Sequence, residues 1–168
     1  VARVAASFGM QVEIANRPGG PATEGRKDLD DLLPQLDVLS LHCPLTDATR
    51  GLIGAARLAR MKPDAVLVNT ARGALVDAQA LAEALRNRRL GGAGIDVFER
   101  EPPPADHPLL DPAIPNLIVT PHIAWAARES WVPGSSTSVA SQRHTRSTCS
   151  GAEARSPASS TSAVSART

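Results

Sequence analysis

The sequence predicts an α/β fold built on a parallel sheet, and three observations carry that prediction. From Val1 to about Arg128, short β-rich apolar runs alternate with helical stretches, which is the pattern of βαβ units. The helical stretches bring their own stops in glycine and proline. Three of the apolar runs end just before residues with different ways of handling charge: Val66-Leu67-Val68 before Arg72, Gly94-Ile95-Asp96-Val97-Phe98 before Glu101, and Leu117-Ile118-Val119 before His122. Strands of a parallel sheet end on one edge, so residues distant in sequence meet there.

Residues 2–8 predict a helix, with Gly9 as its stop, and residues 12–15 a first strand. A polar, proline-bearing loop leads to Leu29, Leu32 and Leu33, which stand at helical spacing behind Asp28. Residues 38–42 read as the next strand and residues 55–61 as a helix that Pro63 prevents from continuing. After a strand at 65–69, Asp77 caps a helix whose Leu81, Ala84 and Leu85 form one apolar stripe, closing near Gly91 and Gly92. A strand at 93–98 precedes a proline-rich segment, 102–115, too rigid and donor-poor for regular structure, and a last strand covers 117–120. Beyond Trp131 the chain becomes a Ser/Thr/Ala/Arg mixture without Leu, Ile, Phe or Met. Such a stretch buries too little apolar surface to offset its ordering entropy, so disorder is expected there.

Composition removes several function classes. Eighteen basic and 17 acidic residues give a net charge of +1, which supplies no electrostatic reason to expect nucleic acid or a membrane surface as partner. No apolar run approaches the roughly 20 residues of a bilayer span, and the start lacks a charged-then-apolar signal, so a soluble, unexported, cytoplasmic protein is expected. Cys43 and Cys149 stand far apart, without a C-x-x-C or a histidine cluster, which indicates neither a metal site nor a disulfide framework. Cys43, ending the run at 38–41, reads as a buried small hydrophobe.

In N-T-A-R-G, Gly73 permits a tight turn that lifts Arg72 toward the sheet edge, where its planar fork can grip a carboxylate. The plainer role for Arg72 is a surface ion pair. Glu101 lies at an E-P junction that fixes an extended exit, and a solvated loop acid is its plainer role. His122, in T-P-H-I-A, sits on a stiff mounting and carries a ring that titrates near neutrality. If Glu101 lies beside it, the carboxylate fixes the imidazole tautomer and favours the imidazolium, ready to protonate a carbonyl oxygen. His42, His107 and His144 lack such a partner set, and His42 reads as a strand-end residue satisfied by backbone. An arginine, an acid and its orienting carboxylate suit a 2-oxo or 2-hydroxy acid. Since nothing in the set supplies electrons, a redox cofactor must.

The stretches L-H-C-P-L-T-D-A-T-R-G-L-I, V-L-V-N-T-A-R-G-A-L-V-D, G-A-G-I-D-V-F-E-R-E-P and V-T-P-H-I-A-W resemble, in order, the cofactor-binding domain of the D-2-hydroxyacid dehydrogenases. The H-I-A-W ending is similar to the glycerate dehydrogenase (hydroxypyruvate reductase) branch. The resemblance implies an incomplete Rossmann-like parallel sheet with flanking helices over residues 1–130, whereas the tail over 131–168, expected from its composition to be disordered, departs from the family, which continues with a long amphipathic helix. It implies that Arg72 binds and polarises substrate, that His122 is the acid/base and that Glu101 supports it. It places Thr70, Ala71, Arg72, Asp96, His122 and Ala124 along the nicotinamide half of the cofactor, and Cys43, Pro44 and Thr49 along its adenosine side. Hydride would pass between nicotinamide and C2 of a small acid, and the family's subunits pair as homodimers mainly through this domain.

NAD-preferring members carry an acid after the strand that here ends at Ala15, whereas this chain has Asn16 and Arg17. An acid repels a 2′-phosphate and these residues do not, so NADP is expected to be tolerated or preferred over NAD. By the same resemblance, the glycine fingerprint and first strand belong just before Val1 and the substrate domain earlier still. The chain alone is therefore expected to be inactive or nearly so, with a sheet edge left unpaired. The tail reads as a shifted frame of a GC-rich gene or as a low-complexity linker, and translating the other two frames separates these. Two further readings stay open: a nucleotide-sensing, corepressor-like interaction protein, and a degenerate gene product without function.

Overall fold

The computed structural model describes residues 1–126 and the backbone of residues 164–167. Four strands form a parallel core: β2 (Val38–Leu41), β3 (Val66–Asn69), β4 (Gly92–Ile95) and β5 (Leu117–Val119), paired in that order. Before them come α1 (Ala2–Ser7), β1 (Gln11–Ile14) and α2 (Leu29–Leu32). Between β2 and β4 lie α3 (Ala55–Leu58) and α4 (Ala78–Arg86). The last strand, β6 (Val164–Arg167), lies between β1 and β2 and runs antiparallel to both, giving the sheet order β1-β6-β2-β3-β4-β5.

In β2 and β3 the alternate residues of the apolar runs point into the core, and those between them are half-buried. Leu39, Leu41 and Leu67 are wholly inaccessible, and Leu32, Leu33, Leu36, Leu81 and Leu85 cover them from α2, the turn after it, and α4. Asp28 caps α2 by accepting the Asp30 N–H at 2.8 Å, and Asp77 caps α4 by accepting the Ala80 N–H at 3.0 Å.

The sequence expectation and the structure part at three places. First, α4 closes at Arg86 and not near Gly91 and Gly92. Arg88 takes the left-handed conformation (φ 54°), and the Arg89 N–H reaches back to the Ala84 carbonyl at 2.8 Å, a Schellman-type closure made without glycine. Gly92 instead opens β4. Second, the proline-rich segment contains one 3₁₀ turn, Pro108–Leu110. Proline is tolerated at its start because the first turn needs no donor there, and the His107 ring caps it by accepting the Leu109 N–H at 3.3 Å.

Third, the tail expected to be disordered over 131–168 contributes β6. The gap between β1 and β2 presents backbone donors and acceptors from both sides, and an extended segment entering it satisfies two edges at once. The edge expected to be unpaired is thereby filled. The rest of that tail expectation, and His144 and Cys149, lie outside the described residues.

Candidate active site

The carboxyl ends of β3, β4 and β5 deliver the three predicted residues to one edge of the sheet. The exit from β5 is the most tightly held. Asp96, directly after β4 and 3% exposed, accepts hydrogen bonds from the Thr120 hydroxyl, from the Ile123 N–H at 2.9 Å and from the Ala124 N–H at 2.9 Å. These donors straddle His122, so one buried carboxylate grips both sides of the turn that carries it. His122 itself sits at φ 55°, a conformation unusual for a residue with a side chain, and the clamp holds it there. The Trp125 indole N–H adds a 2.6 Å hydrogen bond to the His122 carbonyl.

Glu101 meets His122 as expected. Its Oε2 lies 2.7 Å from the imidazole Nδ1, while its Oε1 accepts the Phe98 N–H at 2.9 Å, so the carboxylate is fixed at both oxygens. With Nδ1 committed, Nε2 is the ring atom left for a substrate. Both side chains are part-exposed and face a cavity of about 430 Å³ whose other walls include Phe98, Pro103, Leu110 and Val119.

Burial alone would raise the pKa of either acid. For Asp96 it is outweighed by the Thr120, Ala124 and Ile123 hydrogen bonds, and for Glu101 by the bonds from His122 and Phe98, so both carboxyls titrate below their ordinary values. A lowered carboxyl adds stability that is complete above its unfolded pKa and is lost as pH falls through its folded one. The share of thermal stability that these two carboxyls carry is therefore expected to hold from neutrality down to about pH 5 and to be lost below it. Asp96→Asn is expected to cost about 1–3 kcal/mol at neutral pH, because one amide oxygen cannot serve three donors, and to flatten part of that acid loss. Thermal unfolding of both proteins across pH measures this, and superimposable profiles would contradict the clamp.

Arg72 stands on the neighbouring turn after β3. Asn69, 1% exposed, organises that turn by donating to the Arg72 carbonyl at 2.9 Å and accepting the Ala71 N–H at 3.1 Å. The guanidinium is exposed and donates to the adjacent Ala71 carbonyl at 2.6 Å. Its link to the other two residues runs through Gly73. A Cβ at Gly73 would sit 2.0 Å from the Phe98 carbonyl carbon and 2.2 Å from the Glu99 nitrogen. Backbone contact at that distance is open only to glycine, and it seats the Arg72 turn directly on the turn that leads to Glu101.

Thr70 and Ala124 are exposed at the same edge and Ala71 is half-buried. Cys43 and Thr49 are buried, Cys43 with its thiol pushed up in pKa by burial. The Thr49 hydroxyl donates to the Pro44 carbonyl at 2.8 Å and accepts the Thr46 N–H at 2.7 Å, which leaves Pro44 exposed on a fixed loop. His42 is satisfied by the Ser40 hydroxyl at 2.8 Å and not by backbone. His107 stacks edge-on against Phe98, with ring centroids 4.9 Å apart.

Sequence reasoning gave Asn69 no role. Its signal is a polar residue ending an otherwise apolar strand. Among the described residues no group of three or more His, Cys, Asp or Glu side chains is placed to hold a metal ion.

Residues 1–124 match the family described as D-isomer specific 2-hydroxyacid dehydrogenase, NAD binding domain. The chain belongs to this family. The chain is 52% identical over 107 residues to a glycerate dehydrogenase of Methylorubrum extorquens, covering 64% of this chain and 34% of that protein. It is 44% identical over 135 residues to a glyoxylate reductase of Aeropyrum pernix, covering 77% and 40%. Solved structures of the same form include an acyclic imino acid reductase in complex with NADPH and D-Arg, with TM-score 0.68, 36% identity and coverage of 77% and 41%. A D-lactate dehydrogenase of Aquifex aeolicus complexed with NAD and lactic acid superposes with TM-score 0.57 at 38% identity, covering 62% and 35%. The chain spans less than half the length of such curated relatives, from 32% to 43%.

Proposed function

We propose that this chain is the nucleotide-binding and acid/base part of an oxidoreductase acting on a small 2-oxo or 2-hydroxy acid of the glyoxylate, hydroxypyruvate or glycerate type. The observation that supports it most is the Glu101–His122 pair, 2.7 Å apart and open to a cavity at the carboxyl edge of a parallel sheet. The residues present fit a dinucleotide: Thr70, Ala71 and Ala124 offer small or hydroxyl-bearing surface at that edge, and Pro44 and Asn16 continue it along the neighbouring loops. When bound, the nicotinamide supplies or takes up the hydride at C2 of the substrate.

The remaining work falls to the chain's own side chains. Arg72 swings off the Ala71 carbonyl to hold the substrate's carboxylate with its guanidinium fork, which aligns the ketone and polarises it. His122 donates the Nε2 proton to the ketone oxygen as that oxygen becomes an alkoxide, and takes it back in the reverse direction. Glu101 keeps the Nδ1 proton in place, so the ring presents one tautomer and its cation is stabilised. Asp96 and Thr49 act as positioning residues, because their oxygens are already occupied inside the loops they hold. A cytoplasmic location and pairing of two subunits through this domain belong to the same reading, and no helix among the described residues is long and apolar enough to cross a membrane.

The test is a chimera in which residues 1–126 replace the corresponding stretch of the Methylorubrum extorquens glycerate dehydrogenase. Expected is oxidation of NADH or NADPH on addition of hydroxypyruvate or glyoxylate. A folded chimera that binds nucleotide and turns over neither acid would overturn the proposal.

A further inference from the structure

We infer that His107 is a positioning residue for the Glu101–His122 pair and acts on it through the ring of Phe98. This rests on the acid/base reading above and adds to it a residue that, among the described residues, makes no hydrogen bond to either member of the pair.

Phe98 carries two parts of the site at once. Its N–H donates to Glu101 Oε1 at 2.9 Å, and its carbonyl carbon is the atom on which Gly73 seats the Arg72 turn. A shift of this one residue therefore moves the carboxylate that orients His122 together with the turn that carries Arg72. Packing alone does not fix it. Phe98 is only half-buried and borders two cavities, the one of about 430 Å³ that Glu101 and His122 face and a second of about 450 Å³ bounded also by Asn69, Val76 and Leu109. A residue with open space on two sides lacks the close-packed neighbours that hold a core side chain in one place.

His107 supplies the support that packing does not. Its ring meets Phe98 edge-on, at an interplanar angle of 89° with centroids 4.9 Å apart, an aromatic geometry that fixes direction as well as distance. The imidazole is itself held. Its Nδ1 accepts the Leu109 N–H at 3.3 Å, the His107 N–H donates to the Pro104 carbonyl at 3.0 Å, and the His107 carbonyl accepts the Leu110 N–H at 2.8 Å. Burial pushes the ring's pKa down against the opposing pull of Asp106, which keeps Nδ1 unprotonated and able to accept at neutrality. Beyond the 3₁₀ turn the segment is pinned to α4, whose Arg86 donates twice to Asp111, at 3.0 and 2.7 Å. His107 thus ties Phe98 to a helix that contributes no residue to the acid/base pair.

Two substitutions in the full chain separate the imidazole's role as a cap from its role as a ring. His107→Asn keeps an acceptor for the Leu109 N–H and removes the ring, whereas His107→Phe keeps a ring and removes the acceptor. Amide exchange and the ring ¹⁵N shifts of His122 are followed by NMR at about pH 8, where the His107 ring is neutral. Expected for His107→Asn is about tenfold faster exchange at the Phe98 amide, with His122 leaving the Nδ1–H tautomer for a mixture of both. The Ile123 and Ala124 amides, which Asp96 holds, are expected to exchange as before. His107→Phe is expected to retain both the Phe98 protection and the His122 tautomer. Unchanged Phe98 exchange in His107→Asn overturns the inference. Equal loss in both variants overturns it too, because the cap would then carry the effect, and so does parallel loosening at Ile123 and Ala124, because His107 would then support the fold at large. None of these readouts needs nucleotide or turnover, so a chimera that reduces neither acid overturns the proposed function and leaves the support of Glu101 by His107 standing. In an active chimera His107→Asn is expected to lower kcat by about tenfold with KM held, and an unchanged kcat overturns the link to the reaction.

Discussion

Replacing His122 with Gln in the chimera is expected to lower kcat by about 10²–10⁴-fold while leaving nucleotide affinity nearly unchanged. The size follows from what the ring alone supplies. Arg72 still aligns the acid, but the alkoxide forming at C2 has no positioned proton donor, and solvent must serve instead. Glu101→Gln separates the ring's own contribution from that of its orientation. The amide keeps a hydrogen-bonding partner beside Nδ1 but removes the negative charge, so the imidazolium loses its counter-ion 2.7 Å away. The loss of hydroxypyruvate reduction as pH rises, where the ring gives up the proton it must donate, is expected to move to lower pH with Glu101→Gln and to vanish with His122→Gln. Stopped-flow reduction of hydroxypyruvate across pH measures both. A His122→Gln chimera with near-normal turnover would remove the histidine from the reaction.

Gly73→Ala is expected to be the most damaging single methyl in the described structure, with a loss of about 3 kcal/mol or more in unfolding free energy. The added carbon would fall 2.0 Å from the Phe98 carbonyl carbon, and the neighbour is backbone, which cannot rotate away as a side chain would. The two turns must separate, carrying Arg72 from Glu101. Turnover is therefore expected to fall even in whatever fraction remains folded. Gly94→Ala is the control: nothing lies within 4 Å of its added carbon, and its cost is expected to stay near 1 kcal/mol or below. Urea unfolding of the two variants measures the difference, and equal midpoints would mean that the turns do not touch as described.

Much of this architecture was legible because its signals are local. The runs at 38–41, 66–69 and 117–119 are rich in Val, Leu and Ile, and such short β-rich runs bounded by polar and proline-bearing stretches announce strands on their own. The close of α4 is not legible in the sequence because Arg88, and not a glycine, takes the left-handed position, a choice that depends on the backbone bond from Arg89 to Ala84. In the site, Glu101 and His122 were legible from strand ends and motif order. The clamp on Asp96 was not. Its donors lie 24 to 28 residues downstream, and only the closed sheet brings them to one carboxylate. Asn69 escaped notice for a similar reason, since a strand-ending polar residue shows its purpose only once the turn beyond it has formed.

The antiparallel insertion of β6 has a kinetic consequence. The parallel core from β2 to β5 is assembled from neighbouring stretches of chain, whereas β1 joins the sheet only through β6, which lies well downstream of β5. During synthesis on the ribosome the core can therefore consolidate first. The α1–β1 unit must wait until the β6 segment has emerged before it is stitched to the rest.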